Sequence, residues 1–444
     1  MDKRVRRLMF IGFFLVFVII APILVLHTSG YRFDWSQRRL FRTGLISLGT
    51  EPKGATVILN GVAQPKKTPV FLSNLLPGTY TIRATMDGYL PWQESVAVQS
   101  QHAAVLGTID LILDQAPQVL AASNVAQVKI SPDRTAAFVL SQSDSGLALE
   151  RVALPAATVK NLGIYATGTT LLTEPFNDRV LISSPSGARQ RIFLVDADSS
   201  KTALPLDFIT TDLRQWQWVS SNELISWSNE GPCTVLLSEK TVACQTLSGQ
   251  SFWYANKSLY YLNSDEQTTY LYWVKNRDIS HAELITRLPR SERYRLVADN
   301  PKILVLIDGA TQDLYTTDLN ETETSLVRLP KAAKDAVWND DHSQLLYYND
   351  YEAYSWLPEE NERKLLTRVS QPIASASWCG NYPHIVMSND GRLTLLDSQT
   401  SPSSSITLAE NATEWLAVDP DGHWVAYLTA NQSRSTLWLR RLHE

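Results

Sequence analysis

The feature that most constrains this chain is a weak repeat beginning near residue 119. A short apolar run meets a polar turn, and another apolar run follows. The turns read Ser131-Pro-Asp-Arg134, Pro175-Phe-Asn-Asp178, Trp218-Val-Ser-Ser-Asn222 and Trp253-Tyr-Ala-Asn-Lys257. They continue as Ala298-Asp-Asn-Pro301, Trp338-Asn-Asp-Asp341, Trp378-Cys-Gly-Asn381 and Asp419-Pro-Asp-Gly422. The spacing is about 41 residues. One unit shows the layout. Asp335-Ala-Val-Trp338 reads as a first strand, Gln344 to Tyr348 as a second, Glu352 to Leu357 as a third and Lys364 to Val369 as a fourth. Four short strands per unit at this period indicate a β-propeller.

The count of units is seven or eight, because residues 119–165 are the least regular. That first stretch could also share a blade with the last by strand exchange, which closes the ring and removes exposed edges. The S-P-D and D-P-D-G turns are similar to those of TolB-type and WD-type propellers. The resemblance is one of repeat style and carries fold rather than function. Eleven of the 13 Trp lie in this region. Trp218, Trp253, Trp338 and Trp378 recur at matching positions, where large aromatics fill the wedge between blades.

Upstream lies a different kind of sequence. Leu8 to Leu26 is uncharged, and as a helix it measures about 28 Å, close to a bilayer's hydrocarbon thickness. A cleaved signal peptide has a shorter apolar run ending in small residues. This run exits through His27-Thr28-Ser29-Gly30 and reads as a retained anchor. Lys3, Arg4, Arg6 and Arg7 crowd its front edge, and Tyr31, Phe33 and Trp35 follow it as an interfacial belt. The expectation is a single-pass protein of the cell membrane, N-terminus cytoplasmic and bulk extracytoplasmic. A cytoplasmic tail (1–7), a transmembrane helix (8–27) and a juxtamembrane linker (28–43) precede the folded body.

Residues 44–114 alternate apolar runs with turn signals. Thr56 to Leu59 leads into Asn60-Gly61, a strong hairpin dipeptide. Thr79 to Met86, Ser95 to Val98 and Val105 to Leu113 follow, so five or so strands suggest a small antiparallel sandwich. Pro52-Lys53-Gly54-Ala55, Thr68-Pro69, Leu76-Pro77-Gly78-Thr79-Tyr80, Gly88-Tyr89 and then Trp92 stand in order. This spelling resembles the PEGA domain, with Lys in place of Glu in the eponymous tetrapeptide. The resemblance implies a β-sandwich of surface-associated bacterial or archaeal proteins, with no catalytic residues to carry over. Tyr80, Tyr89 and Trp92 are expected to pack it. The whole chain is thus expected to be all-β apart from its anchor, with the propeller over 119–444.

Charge is uneven. The net −5 is the sum of +6 over residues 1–43 and −11 over the rest. An acidic body argues against nucleic-acid partners. No metalloprotease H-E-x-x-H, nucleophile elbow or phosphate loop occurs. No catalytic residue, cofactor or metal is expected. Asp340-Asp341-His342 and Asp419-Pro-Asp421 carry oxygen ligands, but such turn positions commonly cap backbone groups. The cysteines say more. A hairpin centred on Ser238-Glu239 sets Cys233 directly opposite Cys244, at a distance that suits a disulfide. Cys379 reads as a buried thiol. The expected function is non-enzymatic: a tethered envelope protein whose propeller binds a protein or glycan, with the small sandwich as spacer or wall contact. The alternatives are an accessory or assembly factor of a membrane complex, or an enzyme with its site at the propeller mouth.

Overall fold

The structure, a computed structural model, describes residues 3–28, 31–34, 39–121, 124–187, 189–199, 203–247, 249, 251–255, 258–275, 281–297, 300–319, 326–380, 382–398, 405–431 and 434–443. The chain divides near Gln115 into two compact units.

The first unit opens with one helix, Lys3–Thr28, longer at both ends than the apolar run alone requires. Its window Met9–Leu26 is long and apolar enough to cross a membrane, and none of that window is buried. The segment read as a linker pairs with itself instead. Tyr31–Asp34 and Arg39–Arg42 form an antiparallel hairpin, and the Arg42 guanidinium lies 4.7 Å over the Tyr31 ring. Alternating Tyr31 and Phe33 supply the strand pattern, a short run easily passed over in a segment dense with arginine. Trp35, read as part of the aromatic belt, lies outside the described residues.

Two sheets make the sandwich. One orders strands Val70–Leu75, Gly44–Glu51 and Ala103–Asp110; the other orders Val62–Lys67, Thr56–Leu59, Gly78–Thr85 and Trp92–Val98. Ile46, Leu48, Val57, Ile82, Val98 and Trp92 fill the space between them, with Tyr80 and Tyr89 packed alongside. Asn60 and Gly61 form a two-residue turn at φ 47° and 83°, as hairpin geometry demands. The expected five antiparallel strands are therefore seven, and Gly44–Glu51 runs parallel to Ala103–Asp110. Two missed strands, Val62–Lys67 and Val70–Leu75, lack a clean apolar alternation in the first and follow closely in the second. The parallel pair joins segments almost sixty residues apart, a pairing that no local pattern announces.

Among the described residues of the second unit, eight four-stranded sheets form, numbered as blades in chain order. Blades 1 to 7 span residues 125–165, 170–205, 214–244, 251–289, 294–329, 335–368 and 373–410. Blade 8 takes strands Ala412–Val418, Trp424–Asn431 and Arg434–Arg441 and completes itself with Gln118–Ala121 from the start of the unit. The strand exchange that the sequence left open thus occurs, and among the described residues the count is eight. Buried apolar clusters bridge successive blades. Phe138 and Leu149 of blade 1 meet Val180 and Val195 of blade 2, and Leu346 of blade 6 meets Trp378 and Ile385 of blade 7. Val125 and Val128 of blade 1 meet Trp424 and Leu437 of blade 8, which closes the ring.

Cationic side chains clasp neighbouring blades as well. Arg179 donates to Ser221 O at 3.1 Å, Lys334 to Ile373 O at 3.1 Å and Arg440 to Leu408 O at 2.6 Å. The repeated Trp side chains serve the same seams. Trp378 Nε1 donates to Val337 O of blade 6 at 3.2 Å, and Trp218 Nε1 to Thr173 Oγ1 of blade 2 at 3.1 Å.

Candidate functional site

Every one of the eight sequence turns falls at the same place, between the first and second strands of its blade. Successive blades present these turns on one face, the turn face. Residues 256–257, 298–299 and 381 of these turns lie outside the described residues. In blades 1, 3, 6 and 8, Asp, Asn and Ser side chains shape the turns by accepting backbone amides. Asn339 Oδ1 accepts Gln344 N at 2.9 Å, and Asp341 Oδ1 accepts Ser343 N at 2.8 Å. Hydrogen bonds from Ser343, hydroxyl and amide, hold the Asp341 carboxyl below the usual carboxylate range, so it is ionised at neutral pH.

The turns of blades 7 and 8 interlock. Cys379 Sγ lies 3.5 Å from Gly422 O, and Gly380 and Gly422 occupy positive φ of 55° and 78°. A Cβ on Gly380 would stand 2.3 Å from Pro420 O. One on Gly422 would meet Cys379 O at 2.6 Å and the Tyr382 ring at 2.5 Å. Glycine is needed at both positions for close approach as well as for φ. Tyr382 stacks on the buried His384 at 6.3 Å and stands edge-on to His423 at 6.5 Å.

A cavity of about 390 Å³ opens beside this lock, between blades 6 and 7. Strand alternation explains its first wall. In blade 6, Val337, Leu346, Ser355 and Lys364 share one row across the sheet, facing blade 7. One pleat nearer the turn face come Asn339, Gln344, Leu357 and Glu362. The opposite wall is Trp378, Gly380, Tyr382, Pro383 and Ser398 of blade 7. Lys364 Nζ crosses the cavity to Ser398 O at 2.5 Å. Asp340 and Asp341 stand at the rim, and Asp340 lies 3.9 Å from Arg134 of blade 1. Ser355 is 1% exposed and its hydroxyl has no hydrogen-bond partner. Asp341 also borders a second cavity of about 460 Å³ between blades 5 and 6, together with Asn300, Lys302, Asp318, His342 and Glu359. Sequence reasoning missed Ser355, Glu362, Lys364 and Tyr382. Strand pairing within blade 6 gathers Ser355, Glu362 and Lys364, and the blade-to-blade angle, which no motif encodes, sets Tyr382 opposite them.

The residues singled out in sequence are placed as follows. Asp419, Asp421 and His423 bring donor atoms within 4.8 Å of one another. Asp419 Oδ2 already accepts the His423 amide at 3.1 Å and lies 3.3 Å from its ring Nδ1, so the group reads as a capped turn. Asp340, Asp341 and His342 separate between the two cavities. Cys233 and Cys244 are cross-strand partners in blade 3 and are joined as a disulfide, and Cys379 is buried and outside any disulfide. The bridge lies away from the cavities.

No curated protein matches the chain in sequence. Solved structures similar to it include an oligogalacturonate lyase in complex with manganese, at 15% identity, TM-score 0.45, covering 71% of this chain and 99% of that one. An uncharacterized protein from Listeria monocytogenes EGD-e aligns at 11% identity, TM-score 0.45, covering 66% and 98%. A eukaryotic initiation factor aligns at 10% identity, TM-score 0.48, covering 75% and 94%. Residues 43–108 match the PEGA domain family, so the chain carries a PEGA domain ahead of its β-propeller.

Proposed function

We propose that this chain is a non-enzymatic, membrane-tethered binding protein of the cell envelope. The helix Lys3–Thr28 is its anchor. Phe10, Phe13 and Phe17 expose about 70% of their surface, and a bilayer core accommodates such a face where water does not. Basic residues crowding the helix's front edge support an orientation with the N-terminus inside and both folded units outside. The PEGA domain is the spacer or wall contact, and the propeller binds the partner on its turn face.

One observation carries the binding role. The cavity between blades 6 and 7 gathers polar side chains from three strands and the neighbouring turns around an unused buried hydroxyl. Convergent polar groups in a concavity of this volume are the ordinary form of a recognition site. The test is capture of the full-length chain from gently solubilised membranes. Wild type is expected to retain a partner that a Tyr382→Ala variant loses. Recovery of the chain alone, or turnover of a glycan or peptide by it, would overturn the reading. The anchor has its own check: the chain stays with the membranes after alkaline carbonate washing, and external protease reaches the propeller in cells stripped of their outer layers.

A further inference from the structure

We propose that the cavity between blades 6 and 7 receives a basic side chain, arginine or lysine, of a partner polypeptide. The inference rests on the turn-face binding role and names the chemistry of what binds there. Three carboxylates, Asp340, Asp341 and Glu362, line the cavity against two cations, Lys364 on its wall and Arg134 3.9 Å from Asp340. Lys364 is drawn to Ser398 O across the gap. Asp341 is held ionised by Ser343. The cavity lining therefore carries an excess of negative charge, and a cation entering it gains by electrostatic complementarity.

Charge at a rim is common on an acidic protein, so a second feature matters more. Ser355 sits in the row behind Leu357 and Glu362, nearly fully buried, with an unpaired hydroxyl oxygen. A buried hydroxyl without a partner is costly, and a ligand donor restores the missing bond. A guanidinium or ammonium carries N–H donors and no acceptor, which suits Ser355 Oγ at the back and carboxylates at the front. Tyr382 on the other wall offers a ring for the aliphatic stem. A volume of about 390 Å³ accommodates one long side chain with its flanking backbone left outside. A neutral saccharide would use the amides of Asn339 and Gln344 but would leave the carboxylate excess unanswered.

The experiment uses the full-length chain in detergent and saturation-transfer NMR with three probes: tri-arginine amide, its uncharged isostere tri-citrulline amide, and maltotriose. The arginine peptide is expected to bind saturably and the citrulline peptide about tenfold more weakly. Asp341→Asn with Glu362→Gln should weaken the arginine peptide about tenfold, whereas the charge-matched pair Asp144→Asn with Glu266→Gln, on exposed sites elsewhere, should leave it unchanged. Ser355→Ala should weaken binding several-fold while leaving thermal stability equal to or above wild type, since it deletes an unsatisfied hydroxyl. Equal binding of the arginine and citrulline peptides, equal losses from both charge pairs, or displacement by maltotriose would overturn the proposal. Membrane capture run in parallel separates the two readings. A partner retained by the Asp341→Asn, Glu362→Gln chain but lost with Tyr382→Ala sinks the basic ligand and leaves the turn-face role standing.

Discussion

Gly380 and Gly422 show what a single residue contributes here. Each lies where a side chain would strike a neighbouring turn: Pro420 O in one case, Cys379 O in the other. Gly380→Ala is expected to destabilise the propeller by about 1–3 kcal/mol, read as a lower urea midpoint. His384 beneath them adds a pH dependence. Burial pushes its imidazole below the ordinary value of 6.5, and Asp397 pulls weakly the other way. Above that value both folded and unfolded states hold it neutral. As pH falls below it, the unfolded chain takes up a proton that the folded chain resists, so stability declines with falling pH. The urea midpoint should be lower at about pH 5.5 than at about pH 7.5, and His384→Gln should reduce that difference. An unchanged difference in the variant would remove His384 as its source.

At the scale of elements, the hairpin of blade 3 shows how far local spelling reaches. The turn spans residues 237–240, wider than a two-residue loop, yet the register keeps Cys233 opposite Cys244 because the centre of symmetry is unchanged. Gln245 N donates to Pro232 O at 2.9 Å, which makes that couple the hydrogen-bonded one. The adjacent cysteines are then a non-hydrogen-bonded pair, whose backbones come closer, 4.0 Å between Cα atoms. Peptide mapping without reductant should recover the two cysteines linked. Cys244→Ser should lower stability by about 2–3 kcal/mol for a loop this short. Recovery of both thiols free would end the assignment. The turns were equally legible, since Ser131-Pro-Asp and Asn339-Asp-Asp owe their shape to hydrogen bonds within a few residues. The cavity was not. Ser355 and Lys364 pair across strands of blade 6 and Gln344 ends its turn, but only packing between blades 6 and 7 brings Ser398 and Tyr382 against them. Sequence periodicity encodes strands and turns; it does not encode which blade seam leaves a gap.

For the whole propeller, the decisive element is the strand Gln118–Ala121. It is the first strand of the unit in sequence and the outermost strand of blade 8 in space. Its partner Arg434–Arg441 would otherwise present an open edge, and its own Leu120 would lie in water. Leu120 instead packs with Val125 and Val128 of blade 1 and with Trp424 and Leu437 of blade 8. One side chain therefore joins the two ends of the ring. The other blade seams are closed by side chains and turn contacts between adjacent segments, so they form locally. This seam closes a loop of over 300 residues, whose entropy cost is met only when the ring completes. Leu120→Asp should therefore open blade 8 before it unfolds the others. Amide hydrogen exchange over residues 434–441 should accelerate at least tenfold, with blades 3 to 5 protected as in wild type. Acceleration spread evenly over all eight blades would mean that the ring melts as one unit and that the closing strand has no separate role. Because blades 7 and 8 hold the interlocked turns beside the cavity, a variant opened only at this seam should also weaken partner capture.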